Sequence, residues 1–151
     1  MKVIISPYSR RMRNGNRNPK NYPYFEEVVK QLRKQGVYVI QIGIKGEKEL
    51  GANKTLFNKP LKELVALLNK CDKWISVDNF FSHLAYLHNK PGVVIFGQSD
   101  PEIFGHDFNT NLLKDKKYLR PLQFAPWEDV IYSTECFVDA SVVINKIIEN
   151  D

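Results

Sequence analysis

Four short apolar runs constrain this chain more than any other feature. Val3 to Ile5, Val37 to Ile42, Trp74 to Val77 and Val93 to Phe96 each stop abruptly at small polar residues. A strand covered on both faces reads as such a run, whereas a half-exposed strand alternates with polar residues. The stretches between them have a different period. Tyr24, Phe25, Val28, Val29 and Leu32 recur at helical spacing before Gly36, and Leu61, Leu64, Val65, Leu67 and Leu68 do so again. A short helix around Ser82 to His88 completes the set. Strands separated by helices pair in parallel through right-handed crossovers, which predicts an α/β fold, a Rossmann-like doubly wound parallel sheet. Residues 1–151 are expected to form a single domain, a length that buries most of its apolar surface without staples.

The remaining chain is less regular. Asn111 to Leu113 is a further strand candidate within the irregular stretch 107–136, and Val142, Val143, Ile144, Ile147 and Ile148 mark a terminal helix. The N-terminal apolar run ends at a proline after three or four residues, too short for a signal-peptide core or a membrane span, so a cytoplasmic protein is expected. Cys71 and Cys136 match no zinc or redox spacing, and simple burial in a reducing compartment is the expectation.

In doubly wound sheets ligands bind beyond the carboxyl ends of the strands. Four loops are expected on that rim: the segment after Ile5, Gly43 to Glu49, Asp78-Asn79, and Gly97 to Asp100. The first contains Ser9 and five cations, Arg10, Arg11, Arg13, Arg17 and Lys20. The chain's formal charge is +5, so these five account for the whole excess. Two readings stay open, a solvated mobile segment or a turn-rich loop folded over an anion. Nucleic acid is disfavoured, because there is no second basic stripe.

A helix starting just after Asp78-Asn79 would offer free amides and the positive end of its dipole to a phosphate. Asp78 then either caps that helix or binds a hydroxyl or ammonium. Ser99, Pro101 and Glu102 read as a capping box that starts another helix. His83, His88 and His106 share no metal-ligand spacing, and no metal is implied. His83 and His106 lie close enough to the rim in sequence to reach a sugar. Trp74 reads as core, whereas Trp127, Tyr118 and Phe124 are candidates for a nucleobase wall or for plain burial.

The order and spacing of several motifs carry a resemblance. VDNFFSHLAYLHNKPGVVIFGQSDPEIFGH is similar to the donor-binding signature of glycosyltransferase family nine, the lipopolysaccharide heptosyltransferases. NPKNYPYFEEVVKQL resembles that family's Lys-x-Trp-Pro segment and following helix, with Tyr22 in place of tryptophan. IQIGIKGEKE resembles its glycine and glutamate turn, and NKPLKELVALLNKCDKWISVDN its Leu-x-Glu-Leu helix and strand. Asn79-Phe80 replaces the family's Thr-Gly.

The resemblance implies one half of a GT-B fold, the half that holds an ADP-linked sugar. Carried over by position, Lys20 would contact the donor phosphates or sugar as a functional rather than structural cation. Glu47, or Glu49, would meet the ribose, and Asp78 the sugar or phosphate region. The amides of Asn79, Phe80 and Phe81 would cradle the diphosphate, and the phenyl group of Phe80 would narrow the approach or offer a stacking surface. No cofactor is implied; the ligand is a nucleotide diphosphate sugar. The family's acceptor-binding half has no counterpart in these 151 residues, which leaves two expectations: a minimal or split glycosyltransferase completed by a separate acceptor-binding partner or a second copy, or a binder that sequesters or senses the nucleotide. The aromatic content of residues 118–132 points to a homodimer contact.

Overall fold

The structure, a computed structural model, describes residues 1–149. Six parallel strands form one sheet: β1 (Lys2–Ser6), β2 (Tyr38–Gly43), β3 (Lys54–Phe57), β4 (Lys73–Val77), β5 (Val93–Phe96) and β6 (Thr110–Leu113), in the order β3-β2-β1-β4-β5-β6. Every pairing is parallel, with Ile4 beside Ile40 on one side and beside Trp74 on the other. β3 is a correction to the sequence reading, in which its four residues went unassigned. KTLF is only partly buried at the sheet edge, so it lacks the continuous apolar run that marks the inner strands.

Five helices cover the sheet: α1 (Phe25–Lys34), α2 (Leu61–Lys70), α3 (Phe80–Leu87), α4 (Pro101–Phe104) and α5 (Ala140–Ile148). Side chains along β1 alternate between the two faces, as the pleat requires. Val3 and Ile5 pack with Val28, Val29, Leu32, Val143 and Ile147 from α1 and α5. Ile4 packs on the opposite face with Trp74 of β4 and with Leu64, Leu68, Phe81 and Ala85 from the layer of α2 and α3. Trp74 is core, 2% exposed, with its ring edge-on to Phe81 and its Nε1 donating to the Lys90 carbonyl at 3.0 Å. Tyr22, at the position of the expected tryptophan, is also core, and its hydroxyl donates to the Val138 carbonyl at 2.8 Å. Cys136 is buried but Cys71, just past α2, is partly exposed, and both are free thiols.

Residues 114–139 run back across the carboxyl edge with two 3₁₀ turns, Lys116–Tyr118 and Trp127–Asp129. Among the described residues no helix is long and apolar enough to cross a membrane.

Candidate functional site

The strand order reverses between β1 and β4, and the chain leaves these neighbouring strands in opposite directions, opening a crevice between their loops. Asn79 closes its floor. Its Nδ2 lies 3.2 Å from the Ser6 carbonyl, 3.0 Å from Ser6 Oγ and 3.1 Å from the Tyr8 carbonyl, while its Oδ1 accepts the Phe81 amide at 2.9 Å. Ser9 Oγ donates to the Asp78 carbonyl at 2.6 Å, a second tie between the two loops. Above them is a cavity of about 430 Å³, walled by the loops after β1, β2, β3 and β4 and by Trp127.

Lys20 and Asp78 meet in this cavity. The Lys20 ammonium is 3.2 Å from Asp78 Oδ2, and the two side chains are 22% and 6% exposed. A carboxylate so poorly hydrated needs a cation beside it. Lys20 also lies 5.3 Å from the Trp127 ring centroid and 5.9 Å from that of Phe104, a weakly cation-attracting surround. The pairing corrects the expectation that Lys20 serves function alone: removing it strands a buried carboxylate, at a cost of about 3 kcal/mol or more. Trp127 is itself held by Arg120, whose guanidinium stacks 3.5 Å from the indole and donates to the carbonyls of Gln123 and Ala125.

Glu47 enters the same cavity from the turn after β2. Its Oε1 accepts the Ile44 amide at 2.7 Å, and burial pushes its carboxyl above the usual range despite that bond and the nearby Arg11. Gly43 makes this possible, because a Cβ there would lie 2.2 Å from Glu47 Oε1. Of the two glutamates proposed for the ribose, Glu49 is exposed and lies outside the cavity.

At the α3 terminus the structure decides between the two readings of Asp78 in favour of an ammonium partner. The cap is Asn79 rather than Asp78, since only the Asn79 side chain reaches the Phe81 amide; Asp78 points instead to the ammonium of Lys20. The Phe81 amide is thereby already engaged, and its ring is fully buried against Trp74. Phe80 is the aromatic that faces outward, 51% exposed on the cavity wall.

The loop after β5 does not line the cavity. Gly97 faces the irregular segment, where a Cβ would lie 2.6 Å from Phe137 and 2.8 Å from Cys136 Sγ. Asp100, not Ser99, caps α4: its Oδ1 accepts the Glu102 amide at 2.9 Å, while Ser99 is buried. His83 and His106 pair with each other at 2.8 Å, and the His106 ring stacks on Tyr86. Burial, and then the neighbouring His83, hold His106 below its usual 6.5. This pair is outside the cavity lining. Among the described residues no group of three His, Cys, Asp or Glu is placed to hold a metal.

The basic loop is anchored rather than loose. Arg10 makes a two-pronged contact with Glu128 at 2.9 and 3.2 Å, the Arg13 amide donates to the same carboxylate at 3.1 Å, and Asn14 reaches the Glu128 carbonyl. Arg10 still lines the cavity with Ser9. Among the polar cavity residues, sequence reasoning missed Ser6, Tyr8, Asn18, Asn58 and Lys59. The last two follow the unassigned β3, and the one available signal was Asn58, a turn-prone residue that here adopts φ 56°. Of the three aromatics proposed for the wall, Trp127 is there and Tyr118 and Phe124 are not.

The strand order and the switch-point cavity define a Rossmann-like α/β fold. The model of glycosyltransferase family 9 (heptosyltransferase) matches residues 2–118, more than three quarters of the sequence, and the chain belongs to that family. Its fold is similar to E. coli heptosyltransferase WaaC, solved with ADP, at a TM-score of 0.70 and 19% identity over 99% of this chain and 44% of that one. E. coli ADP-heptose lipopolysaccharide heptosyltransferase II aligns at 0.63 and 19% identity over 84% and 43%. The iron-containing dodecameric TibC of E. coli, in complex with ADP-D-beta-D-heptose, aligns at 0.60 and 20% over 91% and 35%. The chain thus spans less than half the length of these enzymes. No curated protein sequence matches it.

Proposed function

We propose that the switch-point cavity binds an ADP-linked sugar, so that this chain supplies the donor-holding half of a glycosyl transfer. The observation that carries the reading is the Lys20–Asp78 pair, set in one cavity with Glu47 and the start of α3. A diphosphate draws on the Lys20 charge and the positive end of the α3 dipole. A ribose hydroxyl donates to the Glu47 carboxylate, and the apolar end formed by Ile42, Ile44, Leu61 and Leu64 takes the base. That WaaC was solved with ADP, and TibC with an ADP-heptose, supports the choice of nucleotide.

Transfer would form a bond from an acceptor oxygen to the anomeric carbon, break the bond from that carbon to the phosphate, and pass the acceptor proton to a base. In this cavity Asp78 is committed to Lys20 and Glu47 to the Ile44 amide, and no histidine lines it. That observation favours a second reading, in which the 151-residue chain alone binds the nucleotide sugar and releases it unchanged, transfer requiring a base from a partner or a further segment.

Calorimetry with ADP tests the binding. Because Lys20→Ala strands Asp78, the informative variant is Lys20→Met combined with Asp78→Asn, which leaves no unpaired charge. It is expected to fold and to bind ADP at least about tenfold more weakly, a loss of one charge-assisted contact. Equal affinity in variant and parent, or no ADP binding by the parent, overturns the proposal. Turnover of ADP-sugars by the isolated chain at roughly 1 per second or faster would overturn the binding-only reading.

A further inference from the structure

Behind the switch-point cavity, on the other side of the basic loop, lies a second one of about 230 Å³. The two share Tyr8, Ser9, Arg10, Asn18 and Glu47 as a common wall, but the second opens towards Arg11, Arg17 and Lys48. The positive charges around it are unequally matched. Arg10 is taken by Glu128 at 2.9 Å and Lys48 by Glu26 at 3.0 Å. Arg11 and Arg17 have no carboxylate within ion-pair distance among the described residues: Arg11 donates to the Lys45 carbonyl at 2.8 Å, and the Arg17 guanidinium sits 4.1 Å from the centroid of the Tyr132 ring. The one acid in the wall, Glu47, has its Oε1 on the Ile44 amide.

The loop backbone is held without a ligand, with Arg11 seated on the turn after β2 and Arg17 resting on Tyr132, both side chains exposed. Asn18 is buried and spans the loop's ends, donating to the Arg10 carbonyl at 2.9 Å and accepting the Lys20 amide at 2.9 Å. Met12 is buried beneath, and Gly15 closes a turn onto its carbonyl at φ 76°. Arg11 is seated over Gly46, where the backbone takes φ 99° and a Cβ would lie 2.3 Å from the guanidinium nitrogen. A loop with a buried polar staple and a backbone shaped around one arginine is preorganised, so an anion entering it pays little ordering cost. Guanidinium forks match the oxygens of phosphate better than those of any rounder anion.

We propose that this second cavity is a binding site for a phosphate group, held by Arg11 and Arg17 and separated from the nucleotide by the Tyr8–Ser9 wall. The inference goes beyond the donor-site reading and does not rest on it. The phosphate is either free, as an effector, or carried by a second substrate such as a sugar phosphate.

The test is a titration of the parent chain with inorganic phosphate and with glucose 6-phosphate, followed by amide NMR and calorimetry, with and without saturating ADP. Expected are shifts centred on Gly15, Asn16 and Arg17 that persist when ADP is present. Arg11→Gln with Arg17→Gln is expected to weaken phosphate binding at least about tenfold while ADP affinity stays within about twofold. Tighter binding of the sugar phosphate assigns the site to a substrate-borne group, and equal binding assigns it to the free ion. Several outcomes overturn the proposal: no shifts in the parent at millimolar phosphate, displacement of phosphate by ADP, or phosphate affinity unchanged in the double variant. Because the parent titration stands without any variant, a double variant that failed to fold would leave the test intact. If ADP fails to bind, the donor-site reading falls and the phosphate arms still decide this one.

Discussion

The two halves of the sheet edge use similar loop sequences for different ends. On the β3-β2-β1 side and at β4, small and polar residues line the cavity. Gly43 makes room for a glutamate, Asn58 turns the chain after β3, and Asp78 pairs with Lys20 at 3.2 Å in the cavity wall. On the β5-β6 side the same residue types are absorbed by packing: Gly97 lies under Phe137, Asp100 caps α4, and Gln123 ties to the Gln98 carbonyl. The difference arises from the return path of residues 119–139, which packs onto the loop after β5 through Gln123 and Phe137 but contributes only Trp127 to the wall of the switch-point cavity. A glycine or aspartate at a strand's end is therefore a candidate for ligand contact only until the chain's own return path has been accounted for.

The largest effect that tests this contrast is expected at Asn79, which floors the cavity side by tying the start of α3 to the loop after β1. Asn79→Ala removes a helix cap and the ties to Ser6 and Tyr8, and should cost about 2–3 kcal/mol by chemical denaturation. A loss under about 0.5 kcal/mol would mean that the crevice is held by something other than this staple.

Paired glycine variants sharpen the contrast directly. Gly97→Ala should destabilise by about 1–3 kcal/mol, because its new methyl meets packed Phe137 and Cys136, while ADP affinity of the folded protein stays within about twofold. Gly43→Ala meets the carboxylate end of Glu47 and makes ordinary contact with Phe57, and should cost about 1 kcal/mol by breaking the bond to the Ile44 amide, yet weaken ADP several-fold by displacing that carboxylate. The reverse pattern would break the comparison.

Acid titration separates the anchored loop from both halves. Arg10, and then the Arg13 amide, hold the Glu128 carboxyl down to about 2 from its usual 4.5. A depressed folded-state value means stabilisation that is complete above the unfolded value and fades as pH falls from about 4.5 towards 2. The stability gap between parent and Glu128→Gln should accordingly close over that window, as read from urea midpoints at successive pH values. A gap independent of pH would assign Glu128 a role other than its charge.

The smallest effect is expected at the histidines. His106→Ala should leave ADP affinity within about twofold by calorimetry, since the His83–His106 pair lies outside the cavity. A tenfold loss would extend the site to the β5-β6 side.

Much of the framework was legible in the residues alone. Four of the six strands and helices α1, α2 and α5 announce themselves through period, because burial on both faces demands continuous apolar runs and burial on one stripe demands helical spacing, whereas β6, only partly buried, left the weaker trace of Asn111 to Leu113. The motifs single out Lys20, Glu47 and Asp78, and the fold brings these three into one cavity. β3 left no comparable trace, since an edge strand that is half solvated needs no pattern, and Asn58 and Lys59 were lost with it.

Partner choice was decided by the tertiary structure alone. Asp78 and Asn79 are equally plausible caps by spacing, and only the approach of Lys20 from the β1 loop gives the carboxylate to the ion pair and the amide to the cap. Likewise a run of five cations states a charge but not where it goes. Glu128, far away in the chain, neutralises Arg10, while Arg11 and Arg17 are left with a carbonyl and a ring. Local patterns set which backbone segments form, because burial and hydrogen bonding act residue by residue along the chain. Which polar groups remain available for a ligand depends on contacts between segments far apart in the chain, and no local pattern encodes those.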